Sequence, residues 1–216
     1  MDKARKLKKA WNFFWHDDSL SSWAANVVVA FVVIRFILYP LLGVVLGTSF
    51  PIVAVVSESM EHGLHQGRLC GDYYDDFKES FDNYWEVCGS WYGQQGISKE
   101  QFRGFPFPNG FNKGDVILLW RANKENLEVG DILIFEGGRP QPIIHRTVKI
   151  WEEEEEEEGK RFYQTKGDHN EGMIPGEDKI DESRIYGQGL FRVPYLGWVK
   201  ILFVELVRPL GWNIQR

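Results

Sequence analysis

The apolar positions of this 216-residue chain follow two patterns along its length. From Trp23 to Leu46 almost every residue is apolar, and at about 1.5 Å per residue a helix of that length reaches about 36 Å. Because the hydrocarbon core of a bilayer is about 30 Å thick, the run predicts a transmembrane anchor over residues 23–48. The run is too long for a cleaved secretory signal peptide, so we expect it to be retained.

The second pattern is a series of short apolar runs separated by turn residues, which predicts strands. The runs are Val116–Trp120, Ile132–Phe135, Ile143–Ile150, Arg161–Thr165 and Ile185–Val193. Two of the strands follow Gly-Asp turns, at Gly114-Asp115 and Gly130-Asp131. The predicted fold class is therefore mostly β, with a coiled, barrel-like sheet rather than a doubly wound one.

The segment before the anchor, residues 1–22, is basic and aromatic. Its basic residues are Lys3, Arg5, Lys6, Lys8 and Lys9, and its aromatic residues are Trp11, Phe13, Phe14 and Trp15. This composition is typical of a segment that lies at the inner membrane interface. Basic residues on this side predict a cytoplasmic N-terminus and a single-pass topology, with everything after residue 48 outside the cytoplasm.

Residues 62–112 interrupt the strand pattern and predict a small helical insert. Phe77, Phe81, Tyr84, Trp85 and Cys88 recur at helical spacing, which predicts an amphipathic helix over residues 75–88. The aromatic stripe fits packing into a core, and a lid that contacts substrate or membrane is the alternative.

The chain has two cysteines, Cys70 and Cys88, and both fall in this insert. In an oxidising exterior we expect them to form a disulfide. His62 and His65 lie nearby, so a zinc site is the alternative, although the spacing lacks the paired short steps of known ligand sets.

The C-terminal segment, residues 196–216, contains a short apolar stretch from Leu196 to Val207. A helix over this stretch reaches only about 18 Å, which is too short to cross a bilayer. Lys200 and Glu205 also interrupt it. We therefore expect a helix at the membrane interface, with a second span as the alternative.

The charge of the chain argues against nucleic acid as a partner. The formal net charge is −6, and the run Glu152 to Glu158 accounts for the acidity, since the remainder is nearly neutral. We expect this run to be a solvated hairpin tip. No basic face, phosphate-binding glycine loop, nucleotide fingerprint or convincing metal-ligand set is present, so no cofactor is predicted.

Three motifs carry the candidate chemistry. They are Ser57-Glu58-Ser59-Met60, which follows the apolar segment, Ile143-Ile144-His145-Arg146-Thr147, and Lys166-Gly167-Asp168-His169-Asn170. In this order after an anchor, they resemble the type I signal peptidases of the archaeal and endoplasmic-reticulum kind, in which histidine replaces the lysine of the bacterial branch. The resemblance covers residues 23–60 and 113–199, and it implies a peptidase domain made of residues 49–61 and 113–195.

The resemblance implies a role for each site residue. Ser59 would be the nucleophile, His145 the general base, and Ser57 a donor to the oxyanion of the tetrahedral intermediate. Asp178 is expected to hold His145 in the correct tautomer, with Asp168 supporting the loop. The reverse assignment of the two aspartates stays open.

The implied function is that of a membrane-anchored serine endopeptidase that removes signal peptides from secreted and membrane preproteins. Its location would be the archaeal cell membrane or the endoplasmic-reticulum membrane, and its partners the preproteins, the lipid bilayer and other signal peptidase or translocon subunits. A self-cleaving repressor protease is disfavoured, because such enzymes use a lysine base and lack the anchor. The alternative is a non-catalytic, membrane-anchored subunit of a processing complex.

Overall fold

The computed structural model describes residues 2–123, 125–139, 141–153 and 160–207. The chain divides into two compact units, Met1–Gly47 and Thr48–Arg216. Of the glutamate run, only Glu152 and Glu153 belong to the described residues, so the expected hairpin tip lies outside them.

The first unit is helical. Its elements are α1 (Asp2–His16), α2 (Leu20–Val33), a π-helical turn (Ile34–Leu38) and α3 (Tyr39–Leu46). Ser19 caps α2 by accepting a hydrogen bond from the Ser22 N–H, and Gly47, with φ of 65°, ends α3 in the left-handed conformation. Pro40 lies just after the π turn. Its missing N–H and its ring disfavour regular α-helical bonding there, which the wider π turn relieves.

The continuous helical stretch Leu20–Leu46 is long and apolar enough to cross a membrane. It includes most of the predicted anchor and begins three residues earlier than the apolar run, at the cap that Ser19 supplies.

The second unit is built on a curled, half-barrel sheet of seven strands in the order β1-β4-β9-β5-β6-β7-β8. Its strands are β1 (Ile52–Ala54), β4 (Val116–Trp120), β5 (Ile132–Phe135), β6 (Ile143–Glu153), β7 (Lys160–Lys166), β8 (Ile180–Asp181) and β9 (Ile185–Val193). Every pair is antiparallel. A 3₁₀ turn, Glu182–Arg184, precedes β9. The mostly β, barrel-like fold predicted from the sequence is confirmed.

The strand β5 shows why an uninterrupted apolar run forms the centre of this sheet. Its four residues are all buried, and they alternate between two cores. Ile132 and Ile134 pack in one core with Met60, while Leu133 and Phe135 pack in the other. Both faces of the central strand are therefore covered, as continuous rather than alternating hydrophobicity predicts.

The insert contains a two-stranded hairpin and two helices. These are β2 (Arg68–Leu69), β3 (Asp72–Tyr73), α4 (Phe81–Gln94) and α5 (Lys99–Gly104). The predicted helix over residues 75–88 is displaced, because α4 begins at Phe81 and continues to Gln94. Ser80 is the reason: its side chain accepts a hydrogen bond from the Asn83 N–H and caps the helix there.

The chain then forms a short helix, α6 (Trp198–Val207), close to the end of the described residues. It begins two residues after the predicted start, after Tyr195 adopts a positive φ of 61°. Its exposed apolar side chains include Val199, Leu202 and Phe203.

Candidate active site

The Ser57-Glu58-Ser59-Met60 motif forms a turn directly after β1. The motif is expected directly after the apolar segment, whereas in the structure the edge strand β1 comes between the apolar helix and the motif along the chain. Ser57 is exposed, Ser59 is half-buried and Met60 is buried in the core. The two serine hydroxyls are 3.2 Å apart, within hydrogen-bonding distance.

The motif is fastened to the turn that precedes β4. The Lys113 ammonium donates to the Glu58 carboxylate over 2.7 Å, and the Lys113 N–H donates to the Glu61 carboxylate over 2.9 Å. Val55 and Asp115 are joined by a backbone hydrogen bond of 2.8 Å. These bonds hold both ends of the serine turn against the sheet.

His145 lies on β6, opposite Leu133 of β5, and only 3% of its surface is exposed. Its Nδ1 is hydrogen-bonded to Oε1 of Glu177. A carboxylate at Nδ1 favours the tautomer that carries the proton there, so Nε2 keeps a free lone pair. This is the tautomer that a histidine base needs.

Glu177 is fully buried, and further bonds fix its carboxylate. The Thr165 hydroxyl donates to Oε1 over 2.9 Å, and the Ile174 N–H donates to Oε2 over 2.6 Å. The Glu177 carbonyl also accepts from the Thr165 N–H over 3.1 Å. Glu177 is thus rigidly placed beside His145.

The structure does not bring Asp178 to His145. Asp178 is exposed, and it forms no hydrogen bond or ion pair to another described residue. Its neighbour Glu177 is buried instead. Glu177 closes a turn by donating its N–H to the Ile174 carbonyl over 3.2 Å, and Gly176 within that turn has a φ of 92°. The carboxylate that contacts His145 is therefore that of Glu177, one residue before the predicted Asp178.

Asp168 is buried close by, but it pairs with other groups. Arg146 donates to Oδ1 over 2.9 Å and to Oδ2 over 2.7 Å, His62 Nε2 lies 2.9 Å from Oδ2, and the Tyr92 hydroxyl donates to Oδ1 over 2.9 Å. Burial alone raises the pKa of Asp168, but the Arg146 charge and the hydrogen bonds outweigh it and hold the pKa well below its usual range. Asp168 therefore contacts Arg146, His62 and Tyr92 rather than His145, and its supporting role stays a prediction.

The loop at Gly167 brings the three motifs together. A Cβ atom added to Gly167 would lie 2.7 Å from His145 Nε2 and 2.8 Å from the Ser59 carbonyl oxygen. The His169 N–H donates to that same carbonyl over 2.9 Å. Nε2 of His145 and the backbone of Ser59 therefore lie on either side of Gly167, where only glycine fits.

A buried lysine, Lys166, precedes this glycine. Its ammonium donates to the Gly167 carbonyl over 3.0 Å and lies 5.0 Å from the centre of the Tyr92 ring. Burial lowers the pKa of Lys166 to about 8, although the negative charges of Asp168 and Glu177 act in the opposite direction.

The two cysteines of the insert, expected as a disulfide with a zinc site as the alternative, are bonded to each other. Both thiols are therefore used. No group of three or more His, Cys, Asp or Glu residues within the described ranges is arranged to hold a metal ion.

Comparison with known proteins gives relatives that are named signal peptidase catalytic subunits, although no family model matches the chain. The chain is 31% identical over 98 residues to the signal peptidase complex catalytic subunit SEC11C of Homo sapiens. It is 36% and 39% identical over 102 residues to the SEC11 catalytic subunits of Lachancea thermotolerans and Zygosaccharomyces rouxii.

These matches cover 43–44% of this chain, and they span 50% of the human protein and 59% of each yeast protein. The chain thus spans little more than half the length of the curated relatives it matches. These homologues are catalytic subunits of the endoplasmic-reticulum type of signal peptidase, and over the matched part this chain is related to that family, as its three motifs predict.

Proposed function

We propose that this protein is a membrane-anchored serine endopeptidase that removes signal peptides from preproteins. The observation that carries the proposal is the buried His145–Glu177 pair, whose free Nε2 faces the backbone of Ser59 across Gly167. A base oriented by a buried carboxylate next to a serine is the arrangement that activates a hydroxyl for attack. The relatives, which are named catalytic subunits of signal peptidase complexes, support this reaction class.

In the proposed reaction, Ser59 Oγ attacks the carbonyl carbon of the scissile peptide bond, and His145 Nε2 takes the serine proton. The imidazolium is stabilised by Glu177 and then gives the proton to the leaving amine, which leaves an ester on Ser59. Water attacks that ester with His145 again as the base, so that the acid product leaves and the serine is restored. Ser57, whose hydroxyl lies next to that of Ser59, is the proposed side-chain donor to the oxyanion.

The position of β1 supports recognition of an extended substrate. This strand pairs with β4 along one edge and is the outermost strand of the described sheet on that side. The serine motif follows it directly, so a peptide added along the free edge of β1 would present its backbone to Ser59. A preprotein segment that leaves a bilayer in extended form fits this edge.

The proposed location follows from the apolar helix. Leu20–Leu46 would anchor the chain, with the basic N-terminal segment in the cytoplasm and the second unit on the other side. The names of the relatives also motivate partner subunits of a processing complex for this chain. A non-catalytic subunit is the competing proposal, but a base held by a buried carboxylate has no evident use in such a protein.

The test is cleavage of a purified preprotein by the full-length chain in detergent. Ser59→Ala removes only the attacking oxygen, so we expect cleavage to fall to background while the melting temperature stays within about 2 °C of wild type. Ser183→Ala, in the exposed 3₁₀ turn, is the matched control and should cleave normally. Cleavage by Ser59→Ala at the wild-type rate would refute the nucleophile, and no cleavage by the wild-type chain under any tested condition would favour the non-catalytic subunit.

A further inference from the structure

The insert, residues 62–112, reaches the loop of residues 166–169 from one side. Three of its side chains contact Asp168. The Tyr84 hydroxyl donates to the Asp168 carbonyl over 2.9 Å, while Tyr92 and His62 contact the two carboxylate oxygens. All three side chains are buried, so these bonds are shielded from water.

The backbone of the insert adds a further contact to the same loop. The Cys70 N–H donates to the His169 carbonyl over 3.0 Å. Cys70 is bonded to Cys88, which lies on α4 between Tyr84 and Tyr92. The disulfide thus ties the turn between β2 and β3, which contacts His169, to the helix α4, which contacts Asp168.

The other side of the loop contacts the candidate catalytic groups. The His169 N–H holds the Ser59 carbonyl over 2.9 Å, and the Asp168 N–H lies 3.4 Å from the Met60 sulfur. Gly167 separates Ser59 from His145. Any displacement of Asp168 therefore moves the groups that set the distance between the serine and its base.

The charge of Asp168 does not require the tyrosines. Arg146, also fully buried, already compensates the carboxylate with hydrogen bonds from both Nε and an Nη nitrogen. The two hydroxyls instead hold Asp168 at two points. The Tyr92 hydroxyl contacts its carboxylate, and the Tyr84 hydroxyl contacts its main-chain carbonyl. Bonds of this kind fix the orientation of the residue rather than its ionisation.

We propose that the insert is a positioning element for the candidate active site, and that Tyr84 and Tyr92 are positioning residues that hold loop 166–169 against Ser59 and His145. The proposal rests on the proposed peptidase function for its kinetic consequence. Its structural consequence, an ordered loop, is independent of that function.

The experiment compares Tyr84→Phe/Tyr92→Phe with Tyr74→Phe in the full-length chain in detergent. The double variant keeps both rings and removes both hydroxyls. Tyr74 packs against the same aromatic core, but its hydroxyl has no hydrogen bond to another described residue, so it is the matched control. The measurements are kcat and KM for a preprotein peptide, the melting temperature, and hydrogen exchange of the His169 amide.

We expect kcat of the double variant to fall about tenfold or more, because sub-ångström misplacement of reacting groups is costly. KM should stay within about twofold, because the contacts proposed to bind substrate lie on β1. Assayed at least 10 °C below the melting temperature of each variant, that fall cannot come from unfolding. Exchange of the His169 amide should accelerate in the double variant and not in Tyr74→Phe.

Equal kcat in the double variant and the control, or a loss that lies wholly in KM, would overturn the proposal. If the wild-type chain itself cleaves nothing, the proposed function fails, and hydrogen exchange alone decides the role of the insert. Faster exchange at His169 in the double variant only would then support the positioning role, and unchanged exchange would overturn it.

Discussion

At the scale of single residues, two buried carboxylates near the candidate site each contact different basic side chains. Glu177 contacts His145, and Asp168 contacts Arg146 and His62. Removing one partner of a buried pair leaves an uncompensated charge or donor, which costs several kcal/mol. The two carboxylates should therefore respond differently to substitution, one through chemistry and the other through stability.

The substitution Glu177→Gln tests the first of these roles. A neutral amide of the same size can favour the wrong imidazole tautomer and no longer stabilises the imidazolium, so we expect kcat to fall by on the order of 10³ to 10⁴. Asp178→Asn, one residue away and exposed, is the control and should retain nearly full turnover. If Asp178→Asn were the inactive variant, the assignment of Glu177 would be wrong.

The difference between these neighbours explains what the sequence could predict of the site. Ser59, His145 and Asp168 could be chosen as candidates from the sequence, because each lies in a short motif and has a side chain suited to catalysis. In the structure all three lie around Gly167. The third group depends on which residue of the turn Ile174–Glu177 faces inward, and the bonds between Ile174 and Glu177 that fix this are not visible in the sequence. Family resemblance suggests an aspartate, whereas a glutamate, one methylene longer, reaches the base here. The roles themselves stay predictions.

Lys166 gives a second prediction at this scale, through its lowered pKa of about 8. Between pH 8 and the usual lysine value of about 10.4, the folded chain has released this proton while the unfolded chain still holds it. Stability from this group therefore rises with pH in that window, by up to about 1.4 kcal/mol per pH unit. Below pH 8 both states are protonated, and the contribution is constant.

The variant Lys166→Met has no titrating amine at position 166, so its folding stability should not increase with pH through this group. We expect the stability difference between wild type and Lys166→Met to shift in favour of wild type from pH 8 to pH 10, measured by thermal melts of both chains in detergent. Lys149→Met, on the exposed side of β6, should show no such shift. A pH-independent difference for Lys166→Met would mean that the buried amine keeps an ordinary pKa.

At the scale of elements, the insert shows how aromatic periodicity predicts the kind of element better than its limits. The stripe of Phe81, Tyr84 and Trp85 is helical and packs into a core, as predicted. The helix nevertheless starts at Ser80, because a capping hydroxyl decides where the first N–H groups find acceptors. The five strands predicted between Val116 and Val193 are bounded by turn residues in the sequence. Four of the five predicted first residues are the first residues of strands in the structure.

The disulfide gives the prediction at this scale. Cys70 and Cys88 close a loop of 18 residues, for which the chain-entropy model gives about 3 kcal/mol of stabilisation. We expect reduction of the disulfide to lower the melting temperature of the full-length chain. The double variant Cys70→Ala/Cys88→Ala should melt at the temperature of the reduced wild-type chain, with or without reductant. A double variant as stable as the oxidised wild type would show that the aromatic core alone holds the insert.

At the scale of the whole molecule, the disulfide and the segment before the apolar helix both indicate on which side of a membrane the second unit lies. Disulfides persist in oxidising compartments and are rare in the cytosol. The basic residues before Leu20 predict a cytoplasmic N-terminus. Cysteine chemistry and charge thus independently predict that the second unit lies outside the cytoplasm.

This agreement is tested by synthesising the chain with and without endoplasmic-reticulum microsomes. With microsomes present, we expect carbonate-resistant membrane association, an N-terminal tag that external protease removes, and a protected second unit. In the protected fraction, Cys70 and Cys88 should react with an alkylating reagent only after reduction. In chain that stays outside the microsomes they should react directly, because the medium there is reducing.

Leu38→Arg/Leu41→Arg adds two charges near Arg35 in the apolar helix, at about 2.5–3.5 kcal/mol each on insertion scales, and should abolish both protection and disulfide formation. An accessible second unit that still forms the disulfide would separate the two arguments and refute the proposed topology.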